Sequence, residues 1–203
     1  MKTKKTSYKF YPAWEFDREV MDLEEQSRNG WQLKKGGCFH SKYYFDDTVQ
    51  YRHALDFNQD ISDPVRYRET FAEQGWEFVN STFNGWHFFR KVYDPALPEE
   101  AYQIYTDTAS RQEMAGRWKR LAYILGGLEL AVGAINLAMN LTDPHPSGIL
   151  IGTGSMLLGA ILLAGARRIA WPSKNKFLAS GWVLLPVLLV FLAALILSIV
   201  YNL

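Results

Sequence analysis

The sequence predicts an α+β domain followed by an all-α domain of three membrane-spanning helices. Three observations carry this prediction. The 203-residue chain is nearly neutral, +1 at pH 7, yet its charges fall mostly in the first 120 residues, and the remainder is largely Leu, Ile, Val, Ala and Gly. Three apolar runs in that remainder, residues 121–141, 148–166 and 178–201, have the length of about 20 residues needed to cross a hydrocarbon core. The charged part repeats itself with an offset of 45: Gly30-Trp31 recurs as Gly75-Trp76, and Tyr43-Tyr44 as Phe88-Phe89. Residues 1–93 therefore form one predicted domain, 94–117 a linker with a helix expected near 99–114, and 118–203 the membrane domain.

Each repeat reads as βαββ. The first strand is expected at residues 8–11 and again at 49–57, where Val49, Tyr51, His53, Leu55 and Phe57 alternate with Gln50, Arg52 and Asp56, so that one face is buried and the other polar. Helices follow at residues 16–28 and 64–74, closed by Gly30 and Gly75. Pro64 suits a first helical turn, capped by Ser62 or Asp63. Two strands complete each copy, at 31–39 and 42–45, then at 76–83 and 86–92. Asn84-Gly85 signals a two-residue hairpin before Trp86. Two such units imply one antiparallel or mixed sheet with two helices on one face, ferredoxin-like in the broad sense.

The membrane part is read from flanking charge and small residues. Arg111, Arg117, Lys119 and Arg120 precede the first span. Arg167, Arg168, Lys174 and Lys176 separate the second from the third. The loop at 142–147 has no Lys or Arg, so the positive-inside rule places the N-terminal domain in the cytoplasm and the C-terminus outside. Trp118, Trp171 and Trp182 fall near span ends, where indoles favour the interface. Glu129, Gly133, Asn136 and Asn140 share one face of the first span. Two readings fit them: an intramembrane polar site, or a Glu that joins helices by hydrogen bonding, which the lack of a mid-span Lys or Arg favours. Gly148, Gly152, Met156, Ala160 and Ala164 recur every four residues in the second span. They allow close packing within the chain or in a homo-oligomer.

Phe10, Trp14-Glu15, Leu23-Glu24, Gly30-Trp31-Gln32-Leu33, Phe45, Tyr51-Arg52, Gly75-Trp76-Glu77-Phe78 and Gly85-Trp86-His87-Phe88-Phe89-Arg90-Lys91 resemble a bacterial domain-of-unknown-function family, family 2812, over residues 8–93. The resemblance implies Firmicutes membrane proteins with C-terminal spans, whose genes often lie beside those of PadR-type regulators. It implies a regulatory or envelope-associated role and supplies no catalytic residues.

The residues themselves supply none either. HExxH, GxSxG, Walker A and GxGxxG motifs are missing. His40, His53, His87 and His145 are scattered, and no Cys/His cluster has metal-ligand spacing. His53 is expected as a satisfied core histidine, Asp46-Asp47 as turn residues, and the single Cys38, after Gly36-Gly37, as a packed side chain. Apart from Lys2, Lys4 and Lys5 there is no basic run, hence no nucleic-acid footprint. No metal and no cofactor is called for. The expectation is a non-enzymatic, multi-pass protein of the bacterial cell membrane, in contact with lipid. It is a sensory or regulatory module whose cytoplasmic domain binds an unidentified protein partner. The alternative is a ligand-binding or transport-accessory protein using Glu129, Asn136 and Asn140.

Overall fold

The computed structural model describes residues 3–105, 108–170 and 181–201, which leaves Lys2, Trp171, Lys174, Lys176 and the expected span residues 178–180 outside the described residues. The chain divides into two compact units, Met1–Arg117 and Trp118–Leu203.

In the first unit the elements run β1 (Lys4–Ser7), α1 (Phe16–Arg28), β2 (Trp31–Lys35), β3 (Ser41–Phe45), β4 (Tyr51–Phe57), α2 (Pro64–Ala72), β5 (Glu77–Ser81) and β6 (Trp86–Val92). The expected single sheet is two antiparallel three-stranded sheets, ordered β1-β3-β2 and β4-β6-β5. Both break register in the strand after their helix, between Leu33 and Lys35 and between Phe78 and Asn80, again 45 residues apart. The β2 and β5 sides approach without forming a ladder. Instead the Asn80 side chain accepts from Gly36 N at 2.8 Å and donates to Gly36 O at 3.0 Å, satisfying backbone groups that pairing would otherwise have used. A side chain at Gly36 would put its Cβ 2.5 Å from the Phe88 ring, so this approach requires glycine.

The first strand lies at Lys4–Ser7 rather than 8–11. Its sequence, KKTS, has no apolar signal, and it is held by backbone pairing to β3, from Lys4 with Tyr44 to Ser7 with Ser41. Tyr8 beyond it is exposed. Asp63 is the α2 cap: its carboxylate accepts from Val65 N and Arg66 N, each at 3.0 Å, ahead of Pro64. The β5–β6 turn has three residues, not two. Thr82 N donates to Trp86 O at 2.8 Å and Gly85 N to Thr82 O at 3.2 Å, with Gly85 at φ +91°, a type I turn followed by a left-handed residue.

Helices cover both faces of the second sheet, not one. Paired residues share a face, so Leu55, Phe57, Trp86 and Phe88 stand on one side and Ala54, Asp56, His87 and Phe89 on the other. Phe16 of α1 meets Trp86 at 5.6 Å between ring centroids, while Tyr67 and Phe71 of α2 meet Phe89 at 6.0 and 4.4 Å. All eight of these strand residues are buried.

The second unit holds three helices among the described residues: the apolar part of α3 (Thr108–Met139), then α4 (Pro146–Ala170) and α5 (Leu185–Tyr201). Two helical stretches, Ala109–Met139 and Pro146–Ile169, are long and apolar enough to cross a membrane by length and composition; Leu185–Val200 is a shorter apolar helix. The α3–α4 seam runs through glycines. A Cβ on Gly133 would fall 2.8 Å from Gly152 O, and one on Gly126 3.1 Å from Gly159 O. Gly154 faces Val190 and Phe191 of α5. Ala160, expected in the seam, is exposed, and Gly159 takes its place. A strict four-residue spacing drifts about 40° per step around a helix of 3.6 residues per turn, so the seam moves to the neighbouring position.

Gly30 and Gly75 end α1 and the α2 turn with φ of +77° and +81°. Replacing Gly75 by Ala is expected to destabilise the full-length protein by about 1 kcal/mol, the strain of a left-handed L-residue, and Gly75→Asn by less, since Asn tolerates that region. Chemical denaturation in detergent micelles, followed by near-ultraviolet circular dichroism, checks both.

Candidate functional site

Asp56 is the most deeply buried carboxylate on the sheet, 2% exposed, on the β4 face that alternation alone assigns to the polar side. A buried charge persists only where donors surround it. Here the donors come from separate segments. Tyr67 of α2 donates its hydroxyl at 2.6 Å, Tyr105 of the stem (residues 94–105, between β6 and α3) donates another, and Arg117 donates through a terminal nitrogen at 3.1 Å. Arg117 also donates through Nε to Phe57 O at 2.9 Å. Burial first, and then the Asp56 charge, push both tyrosine hydroxyls far above the ordinary tyrosine range, so they remain donors at any physiological pH.

The stem before α3 is docked on the sheet unit. It has a 3-10 turn at Glu99–Tyr102 where a longer helix was expected. Tyr102 is buried, with its hydroxyl accepting from Asp94 N at 2.7 Å and donating to Asp94 O at 2.8 Å. Ile104 packs against the core of Ala54, Trp76 and Phe89. Arg52 is bound by Glu24 at 2.8 Å and by Glu99, under the rings of Tyr93 and Tyr102. Lys91 donates to Gln74 O and Ala101 O, each at 2.9 Å.

A second polar cluster lies between α1 and the first sheet. Glu19, Asp22, Tyr11 and Tyr43 line a cavity of about 10 Å³, room for one water. Lys9 is paired with Asp22. Burial, and next the Asp22 charge, push the Glu19 carboxyl up to about 8, and burial with Asp22 also raises the Tyr11 and Tyr43 hydroxyls. Burial and then Glu19 raise the Cys38 thiol, which makes it a poor nucleophile.

The sequence-predicted residues distribute as follows. Trp76 and Trp86 are buried, Trp31 is half-buried on Phe45, and Gly30 and Gly75 close helices. Asp46 accepts from Thr48 N at 3.0 Å and Thr48 Oγ1 at 2.6 Å, a side-chain turn. His53 is buried, but it is not the satisfied histidine expected: neither ring nitrogen has a partner among the described residues. Burial, and then Arg90, hold it neutral, with its pKa down to about 3. In α3 the polar stripe makes local contacts. Asn136 and Asn140 spend their amides on the carbonyls four residues back, Val132 O and Asn136 O, each at 2.9 Å, and Asn140 also accepts from His145 N. Gly133 packs on α4, and Gly148 packs on Asn140. Asp56, Tyr67, Tyr105 and Arg117 escaped the sequence reading. The available signal was an acidic residue inside an otherwise apolar strand, Ala54-Leu55-Asp56-Phe57.

Asp56→Ala is expected to cost about 3 kcal/mol, the low end for breaking a buried pair, because Arg117 is one-third exposed and keeps Glu113 at 3.1 Å. Tyr105→Phe is expected to cost about 1.5 kcal/mol, as for a hydrogen bond to a charged group. Denaturation of the full-length chain measures both, and in Asp56→Ala trypsin is expected to cut faster at Arg111 and Arg117. The pH dependence has two opposed parts. Glu19 has a raised folded pKa, so its contribution is full below its ordinary value of 4.5 and is lost as pH rises through about 8. His53 has a lowered folded pKa, so its contribution is full above 6.5 and is lost as pH falls toward 3. Glu19→Gln is therefore expected to gain stability over wild type at pH 8.5 relative to pH 4.5, read from denaturation midpoints at the two values.

A family described as a protein of unknown function, DUF2812, matches residues 15–126, beyond the 8–93 of the sequence resemblance and through the stem into α3. No curated protein and no solved structure matches the chain. The match takes in more than half of the chain, including Asp56, Tyr67, Tyr105 and Arg117, and the chain belongs to the DUF2812 family.

Proposed function

We propose that this protein is a membrane-anchored regulatory or sensory module of the bacterial cell membrane, with its sheet unit in the cytoplasm bound to a protein partner. The observation that carries this reading is the clasp on Asp56. It makes the stem and the first residues of α3 an integral part of the sheet unit, so that a shift of α3 must break a buried ion pair or move β4. A flexible tether would transmit nothing, whereas this clasp ties the start of α3 to β4 at a buried charge. The length and composition of α3 and α4 support membrane insertion. The basic residues Arg117, Lys119, Arg120, Arg167 and Arg168, against none at 142–147, support the cytoplasmic orientation. Matching strand order, register breaks and helix-end glycines 45 residues apart support an origin by duplication.

The outer side of α1 suits a partner. Met21 stands 66% exposed among Arg18, Glu25 and Arg28, at an open depression of about 410 Å³. The rival reading, an intramembrane ligand site, loses two of its three polar groups to local helix carbonyls.

Affinity capture of the full-length chain from its native membrane in mild detergent is expected to bring down a stoichiometric protein that Met21→Arg with Arg18→Glu releases. Recovery of the chain with lipid or a small molecule alone, abolished by Glu129→Leu, would support the rival instead. In a Cys38→Ser background, an impermeant maleimide applied to intact cells is expected to label Asp143→Cys and to spare Asp47→Cys.

A further inference from the structure

One end of the sheet unit carries aromatic side chains that the unit leaves uncovered. The β2–β3 link, residues 36–40, and the β5–β6 link, residues 82–85 with its three-residue turn, lie side by side there, with Cys38 Sγ 3.3 Å from Asn84 Oδ1. Phe39 on the first is 65% exposed, and Phe83 on the second is 90% exposed. Tyr8, 82% exposed, leaves β1 at the same end, its ring 6.0 Å from that of His40, and Phe10 stacks on Phe39 at 5.8 Å. None of these rings is needed to build the core, and a water-facing surface gains nothing from them.

The position of this end identifies what covers it. Arg117, the last residue of the unit, donates to Phe57 O, and Phe57 is the β4 residue paired with Trp86, the first residue after the 82–85 link. Asn58 N donates to Gly85 O at 2.9 Å, which closes the same corner. The hairpin tips therefore stand at the end of the unit that holds its last residue, Arg117, which in the sequence comes two residues before the basic pair Lys119-Arg120.

We infer that the two hairpin tips rest in the interfacial layer of the lipid bilayer, with Phe39 and Phe83 inserted below the headgroups and Tyr8 at headgroup level. The inference rests on the membrane reading above and extends it. Aromatic rings partition to the boundary between headgroups and acyl chains, and a shallow insertion adds to anchoring without spanning. The occupant we infer is lipid rather than a protein because the patch shares the end of the unit with Arg117, from which the sequence runs on into Lys119-Arg120 and an apolar stretch long enough to span. The contact fixes the tilt of the sheet unit on the membrane, so the bilayer itself becomes a contact that a signal can alter.

Depth measurement tests this on the full-length protein in vesicles of phosphatidylcholine and phosphatidylglycerol. In a Cys38→Ser background, nitroxide labels are placed singly at Phe83→Cys, Phe39→Cys, Asp47→Cys and Leu128→Cys. Asp47 lies at the opposite end of β3, and Leu128 is exposed on the apolar stretch of α3. Labels at 83 and 39 are expected to lose accessibility to a water-soluble nickel chelate and gain it to oxygen, as at 128, while 47 shows the reverse. Water-like values at both 83 and 39, with lipid-like values at 128, would overturn the interfacial contact alone. Water-like values at 128 would overturn the membrane reading and this inference with it.

Discussion

The sheet unit is organised around a carboxylate that water does not reach. Moving an ionised Asp out of water costs several kcal/mol even after relaxation, and partners must offset that cost. Asp56 draws these partners from α2, the stem and the start of α3. Removing any one leaves the charge under-satisfied. Burial of Asp56 and docking of the stem are thus coupled, because donors that satisfy the charge come from the stem and from α3.

The same logic explains why two small sheets hold together without a shared ladder. Side chains bridge them instead. Asn80 replaces a backbone partner for Gly36, and Arg90 donates to Leu33 O and Tyr44 Oη, each at 3.2 Å, while its other arm pairs with Glu77 at 2.6 Å. Gln32, fully buried, ties Asp46 O and Val49 O to the end of α1, and Ser27 donates to it at 2.6 Å. These polar contacts lie at the seams between elements, while Leu33, Phe57, Phe88 and Phe89 fill the interior. Direction therefore comes from hydrogen bonds, and most of the stabilising energy comes from the aromatic area removed from water.

The elements with periodic signals were legible in the sequence. Gly30 and Gly75 stop helices because a left-handed residue is needed there, and that requirement is visible in the residue type. Asp63-Pro64 starts α2 for an equally local reason. What depends on tertiary partners was not legible. β1 has no apolar residue, so nothing in KKTS distinguishes a paired edge strand from a tail. Asp56 reads as a solvent-side residue because alternation assigns faces but cannot report that a second helix and the stem will cover the polar one. The division into two sheets was hidden because Gly36-Gly37 reads as a loop, and its close contact with Phe88 lies about fifty residues away in the chain.

The apolar helices show how polar groups on a helix find local partners. Glu129, Asn136 and Asn140 share a helical face, and a shared face invites a polar site. A primary amide four residues after a carbonyl has a partner at hand, however, and in an apolar surrounding the local bond is made first because the alternative is an unsatisfied group. Both asparagines follow that rule. The seam glycines Gly126, Gly133, Gly152 and Gly159 then let α3 and α4 approach until backbone meets backbone. In the sheet unit the one element bonded to the stem at a buried charge is β4, through Asp56 and Phe57 O. That strand connects through its pairing with β6 to the Phe83 hairpin.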